Sequence, residues 1–384
     1  MAEREKVKPQ NRLLYLDNLR IYLIIIVILH HASLAYGGSG AWSVRDPAVD
    51  AISPIFLIIF NVISSSYFMS AFFLLAGYFT PRSLERKGSK QFLKDRVIRL
   101  VIPIVIYTTI IAAINDYMIG NFVNDANLSI WTIIKSRIEH LYYSPGHLWF
   151  LQTLLVFAVI YVIYRVLADR SSRKPIQFYR DTFPPNTILF LCIGVLTVLT
   201  FAVRLVFPVD VWFLHVQPAN HIYYAFCFIS GVLAYRGGWF RRLSGSQARP
   251  WGIMSLVSIP LFVVILGLGG GMENAYKFTG GLYWQAFTYA AWESFFMIGI
   301  IVFLLYFFRE RLNKTGLVTK SMAANVYTVY IIHVTILITL QILLLSINIP
   351  TIMKFFIVSL IAVPLCFTLS NLIRKIPYTR RVLG

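Results

Sequence analysis

The chain has 384 residues, 58% hydrophobic and only 13% charged, with a mean hydropathy of +0.70. A soluble domain carries about 25% charged residues, so this composition excludes a soluble enzyme. The apolar runs are continuous over roughly 20 residues instead of alternating, which excludes a membrane β-barrel. The expected fold is all-α: a polytopic helical membrane protein of about ten transmembrane helices with both termini cytoplasmic.

In chain order the spans are expected at 19–37, 53–79, 100–119, 147–167, 187–207, 219–236, 251–270, 282–308, 323–345 and 352–373. The second and eighth are long enough to tilt, kink or contain a break. Residues 1–18 form a cytoplasmic segment, 19–373 the membrane domain and 374–384 a cytoplasmic tail. The first span reads as an uncleaved anchor, because its removal would upset the charge alternation of the loops. The net charge of +19 suggests nucleic acid at first sight. Its distribution argues for no nucleic acid and for a lipid bilayer instead. Of the 35 Lys and Arg, all but Arg45, Lys135, Arg137, Arg204, Lys277 and Lys354 fall in segments predicted to be cytoplasmic. That is the positive-inside pattern. Cys192, Cys227 and Cys366 lie inside predicted spans, with no disulfide framework and no metal-binding pair.

The first span, "LDNLRIYLIIIVILHH" (16–31), carries ionisable groups at both ends. At 100° per residue, Arg20 and His31 lie about 20° apart on one face and about 16 Å apart along the axis. Asp17 stands one turn before Arg20. One stripe thus offers an anion-binding group at one edge and a proton-transfer group deeper in the membrane. His30 points about 100° away. The ordinary reading is that Asp17 and Arg20 pair at the interface and His31 caps the outer end.

Further along, "FLKDRVIRLVIP" (92–103) places Arg96 and Arg99 on one face, where two guanidiniums can bind phosphate. Positive-inside charge explains them equally. "SAFFLLAGYF" (70–79) and "AFCFISGVLAYR" (225–236) hold small-residue notches at Ala76–Gly77 and Ser230–Gly231, suited to close helix packing. "GHLWFLQTLLVF" (146–157) opens the fourth span with His147 and Trp149; an interfacial Trp is normally a belt residue. "SMAANVYTVYIIHVTIL" (321–337) buries Tyr327, Tyr330 and His333, the last two one turn apart and able to hydrogen-bond.

In this order the segments resemble the acyltransferase-3 family of membrane acyltransferases. That family shows an LDxLR segment followed by a histidine, matched by Asp17, Arg20 and His31. It shows an FFxLSGF-like segment, matched here with Ala76 where Ser is usual. Its RxxRLxxP segment is matched by Arg96, Arg99, Leu100 and Pro103. Its HLWFL segment is matched by residues 147–151, and its late S…YxxYLxH segment by Ser321, Tyr327, Tyr330 and His333, with Ile332 where Leu is common. Within the family the fourth-span pattern is similar to that of proteins that modify glucans.

The resemblance implies an acyl-CoA donor, used as substrate with no permanently bound cofactor and no metal. It also implies an acceptor hydroxyl, usually on a glycan, and a place in a bacterial cytoplasmic membrane. On that basis Arg20, Arg96 and Arg99 would hold the CoA phosphates, with the pantetheine arm threading toward His31. His31 would act as general base, with Arg20 and Asp17 on the same helix, or would carry the acyl group covalently. Candidate substrate contacts or oxyanion donors are His147, Trp149, Glu139, Glu293, Tyr330 and His333. The outer loops 120–146 and 208–218 add Asp125, Glu139, His140, Asp210, Trp212 and His215 as sugar-binding types, or as ordinary loop residues. A transporter of a small anionic or sugar-like solute is the competing expectation, although no internal repeat supports it. A metalloenzyme is disfavoured because no HExxH or HxxxH pattern occurs.

Overall fold

A computed structural model describes residues 13–46, 50, 52–170, 182–209 and 211–383. The helices are α1 (Leu14–Leu34), α2 (Ile52–Ser65), α3 (Phe68–Lys87), α4 (Ser89–Phe122), α5 (Ile130–Glu139), α6 (Trp149–Arg170) and α7 (Asn186–Val206). They continue with α8 (Pro218–Gly237), α9 (Gly245–Leu268), α10 (Trp284–Arg311), α11 (Leu317–Leu344), α12 (Thr351–Ile373) and the short α13 (Thr379–Leu383), with single helical turns at Trp239–Arg242 and Ala275–Thr279 left unnumbered. Among the described residues there is no strand beyond one isolated bridge, Phe213 to Val216. The chain is an all-α polytopic membrane protein.

Each expected span is occupied by helix. Nine helical stretches among the described residues are long and apolar enough to cross a membrane. The second expected span is one of them, and it is broken at Ser66–Tyr67 between α2 and α3. The eighth, α10, runs unbroken. The helix outside that class is α8, whose first half carries Asn220, His221, Tyr223 and Tyr224. Burial against α3 explains how such a helix is accommodated: its polar groups meet protein, not lipid.

The α3–α8 crossing is close because both helices present glycine. A Cβ on Gly77 would lie 2.0 Å from the Phe228 carbonyl oxygen, and one on Gly231 would lie 2.1 Å from that of Leu74. No side chain fits there, so the two notches work as packing surfaces. The most buried spans are α10 and α11, at 67% and 61% of their apolar windows. Helix α1 packs against both, and also against α2, α3 and α12. Its charged and histidine ends are therefore held inside protein. Lipid-facing apolar residues concentrate elsewhere, for example Leu191 and Val198 on α7 and Val257 and Val264 on α9.

Candidate active site

Three histidines from three separate segments converge at one end of the α1–α11 pair. Nδ1 of His31 lies 2.9 Å from the Val27 carbonyl oxygen and 3.3 Å from Nε2 of His333. A carbonyl can only accept, so Nδ1 of His31 carries the proton. His333 is held the same way: its Nδ1 donates to the Tyr330 carbonyl at 2.7 Å, which leaves Nε2 as an acceptor toward His31. In the neutral state both rings share one tautomer, protonated at Nδ1, and Nε2 of His31 then carries the lone pair. His333 is fully buried, whereas His31 retains accessible surface.

The third ring is His147, in the 3₁₀ turn Gly146–Leu148 that leads into α6. Its centroid lies 4.8 Å from that of His333 and 6.4 Å from that of His31. Nε2 of His147 donates to the Tyr330 carbonyl at 3.0 Å, and the Tyr330 hydroxyl donates back to the His147 carbonyl. One backbone carbonyl in α11 thus orients two histidines. Nδ1 of His147 is buried without a partner among the described residues. Tyr107 packs edge-on against His147 at 4.9 Å. It does so over Gly146, whose φ of +52° suits glycine and whose Cβ would meet the Tyr107 hydroxyl at 2.9 Å.

The loop after α1 is fastened over this end. The Trp42 ring lies 5.5 Å from that of His31, and its N–H donates to Gln341 Oε1 at 2.8 Å. Arg45 donates to the Leu34 carbonyl at 3.1 Å, and Asp46 pairs with Lys354 at 2.6 Å in a buried contact. His30 points the other way, toward α2. Its Nδ1 accepts from Asn61 Nδ2 at 3.1 Å and lies 2.8 Å from Ser64 Oγ.

At the opposite, basic end of α1, Asp17 and Arg20 pair at 3.6 Å and Arg20 lies 4.4 Å over the Phe79 ring. Arg96 stacks over Phe92 at 4.9 Å and stands within electrostatic reach of Arg99 and Arg20. The three arginines predicted from sequence are thus brought together. Arg99 sits in a π-helical segment, Val97–Val101, and its carbonyl accepts the Tyr327 hydroxyl. A second π segment, Tyr107–Ile111, carries Tyr107. Such π segments are rare and recur at functional sites.

Several expectations are corrected. Between Arg20 and His31 the same face of α1 carries Ile24 and Val27, both fully buried. Glu293, a candidate substrate contact, is engaged with Arg204 at 2.6 Å in a buried ion pair. Glu139 lies on exposed α5 with Lys135 at 3.7 Å. The expected oxyanion donors are engaged elsewhere: the Tyr330 hydroxyl with the His147 carbonyl, and both nitrogens of His333 as described. Trp149 turns toward α8, stacked on Tyr224 at 5.3 Å and 6.1 Å from His221, so it is no belt residue. Asp125, Glu139, His140, Trp212 and His215 are exposed, and Asp210 and residues 1–12 lie outside the described residues. The residues that sequence reasoning missed are Tyr107, Trp42, Gln341 and Arg204. Only Arg204 carried a signal: it is a cation inside an expected span.

This assembly of HLWFL-type turn, YxxYxxH helix and charged first span is the ordered set noted in the sequence. A family model described as an acyltransferase domain matches residues 13–371. The chain belongs to the acyltransferase-3 family. It is an integral membrane protein of that family. Similar curated proteins include the glucans biosynthesis protein C of Escherichia coli strains K12, O1:K1 / APEC and O139:H28. Each is 27% identical over 192 residues, or 49% of this chain and 48% of the relative. The chain thus spans about half the length of these relatives. No solved structure matches.

Proposed function

We propose that this acyltransferase moves an acyl group, acetyl or succinyl, from cytoplasmic acyl-CoA to a hydroxyl of an extracytoplasmic glycan, with His31 as general base. The observation that carries this reading is the tautomer of His31. Its Nδ1–H is fixed by Val27 and His333, so Nε2 is available to take a proton. As Nε2 takes the acceptor hydroxyl's proton, the hydroxyl oxygen bonds to the thioester carbonyl carbon. The C–S bond then breaks, and the proton passes to the departing thiolate. In between, His31 is an imidazolium whose Nδ1–H points at two acceptors, the Val27 carbonyl and Nε2 of His333. Both favour the cation. The arginine group at the basic end suits the phosphates of CoA. The name of the E. coli relatives supports a glucan as acceptor, and a bacterial inner membrane is the proposed location.

The test is mass spectrometry of envelope glycans from cells with and without the gene, joined to acyl-CoA consumption by the purified protein in vesicles. A glycan mass increment that appears with the wild type and vanishes with His31→Ala is expected. Identical glycans in both cells and no acyl-CoA consumption would sink the reading.

A further inference from the structure

The carboxy-terminal tail folds back onto the membrane domain. Arg381 of α13 meets Lys94 and Arg99 of α4 around a cavity of about 370 Å³ that Gln91, Asp95 and Ile98 complete. Among the described residues, none of the three cations forms an ion pair. The lone acid in the lining, Asp95, is bound to Lys87 and accepts from Gln91 at 2.7 Å, though it also lies within electrostatic reach of Arg99. The cavity therefore keeps a surplus of positive charge contributed by two separate elements, on side chains that are all exposed, and a multivalent anion would neutralise more of it there than the salt ions that otherwise screen it.

What holds α13 in place differs from what lines the cavity. Val382 and Leu383 border an apolar groove with Pro103, Ile106, Ile331 and Ile332. Those two side chains, both half-buried, dock the helix and leave the exposed Arg381, one residue earlier, on the polar side. Two guanidiniums and an ammonium around one space match the oxygens of a phosphate or diphosphate.

We propose that Lys94, Arg99 and Arg381 form a binding site for a phosphate-bearing ligand, completed by the carboxy-terminal helix. On the donor reading above, on which this assignment of source rests, the ligand is the phosphorylated nucleotide of acyl-CoA. A phospholipid headgroup is the other source of the same chemistry.

The experiment uses the full chain in nanodiscs of uncharged lipid, with adenosine 3′,5′-bisphosphate as probe. Wild type is compared with Arg381→Gln and Lys94→Gln, each checked for unchanged thermal unfolding. A loss of about tenfold in bisphosphate affinity in each variant is expected. If the wild type ignores bisphosphate but retains phosphatidylglycerol in native mass spectrometry, and both variants lose it, the site stands with a lipid source and the donor reading fails. If bisphosphate binds equally to wild type and both variants while Arg96→Gln weakens it, the site is overturned and the donor reading survives. If neither probe distinguishes wild type from variants, the site is likewise overturned.

Discussion

Arg204 and Glu293 give the sharpest test of which buried charges serve structure and which serve chemistry. Arg204 is fully buried, Glu293 is 4% exposed, and their contact is 2.6 Å. Arg204→Met would strand the carboxylate and remove a 3.0 Å bond to Asn220 Oδ1. Breaking a buried pair from one side costs about 3–5 kcal/mol. The pair also has a built-in weakness: Arg204 Nε and Nη1 are buried without partners among the described residues. Each such donor costs about 1–3 kcal/mol, so removing both members should restore most of the loss. The double variant Arg204→Met/Glu293→Leu is therefore expected near wild-type stability. Thermal unfolding in detergent, read by intrinsic fluorescence, measures this, and acyl transfer is assayed on the same samples. A double variant as unstable as the single one would refute the pairing argument. A double variant that is stable but inactive would return Glu293 to the chemistry, against its placement here.

His31→Ala should cut acyl transfer by roughly 10²–10⁴-fold, whereas His30→Ala should retain transfer and lose stability through Asn61 and Ser64; the reverse order in the transfer assay would refute the tautomer argument. Arg96→Ala and Arg99→Ala should each weaken acyl-CoA binding by roughly ten- to a hundredfold with acceptor affinity unchanged, and unchanged donor affinity in both would leave them as topological charges. Gly77→Ala and Gly231→Ala should each cost about 1–3 kcal/mol or more of stability, since the added methyl meets a carbonyl oxygen of the facing helix; wild-type melting would show that the crossing is looser than described. In sealed vesicles with acyl-CoA on the cytoplasmic face, acylation is expected only of a glycan on the opposite face. Transfer only to a glycan on the donor's own face would leave an enzyme working wholly from inside.

The fold was legible because lipid imposes it: about twenty apolar residues per span and basic residues on one side leave few alternatives. The excess length of the second span left room for the break at Ser66–Tyr67, yet the eighth, expected at the same length, runs unbroken, so length alone did not decide it. The histidines were legible as unusual residues, and their motif order pointed to a shared site. Their mutual geometry was not, because helical periodicity assigns a residue to a face without naming the helix opposite. That is why Tyr330 and His333 read as a pair within one helix, when the Tyr330 carbonyl and not its hydroxyl holds His333. It is also why Trp149 read as an interfacial belt residue although it packs on α8. Trp42 and Gln341 had no signal at all: each is unremarkable until a loop and a helix 299 positions apart meet.

The backbone does the work that an acid does in other histidine sites. Among the described residues no carboxylate is seen to orient His31 or His333. Each instead leans on a carbonyl of its own helix, Val27 four residues before His31 and Tyr330 three residues before His333. A carbonyl accepts a proton's hydrogen bond without competing for the proton, so the tautomer is fixed while the ring stays neutral. In a membrane interior that choice has a second benefit. A carboxylate would bring a charge that must be desolvated or paired, as Arg204 and Glu293 are, whereas the carbonyl dipole needs no counter-ion. On the proposed reading, the α1–α11 contact keeps a proton acceptor deep among apolar side chains, and charge appears at His31 only while the proton is in transit.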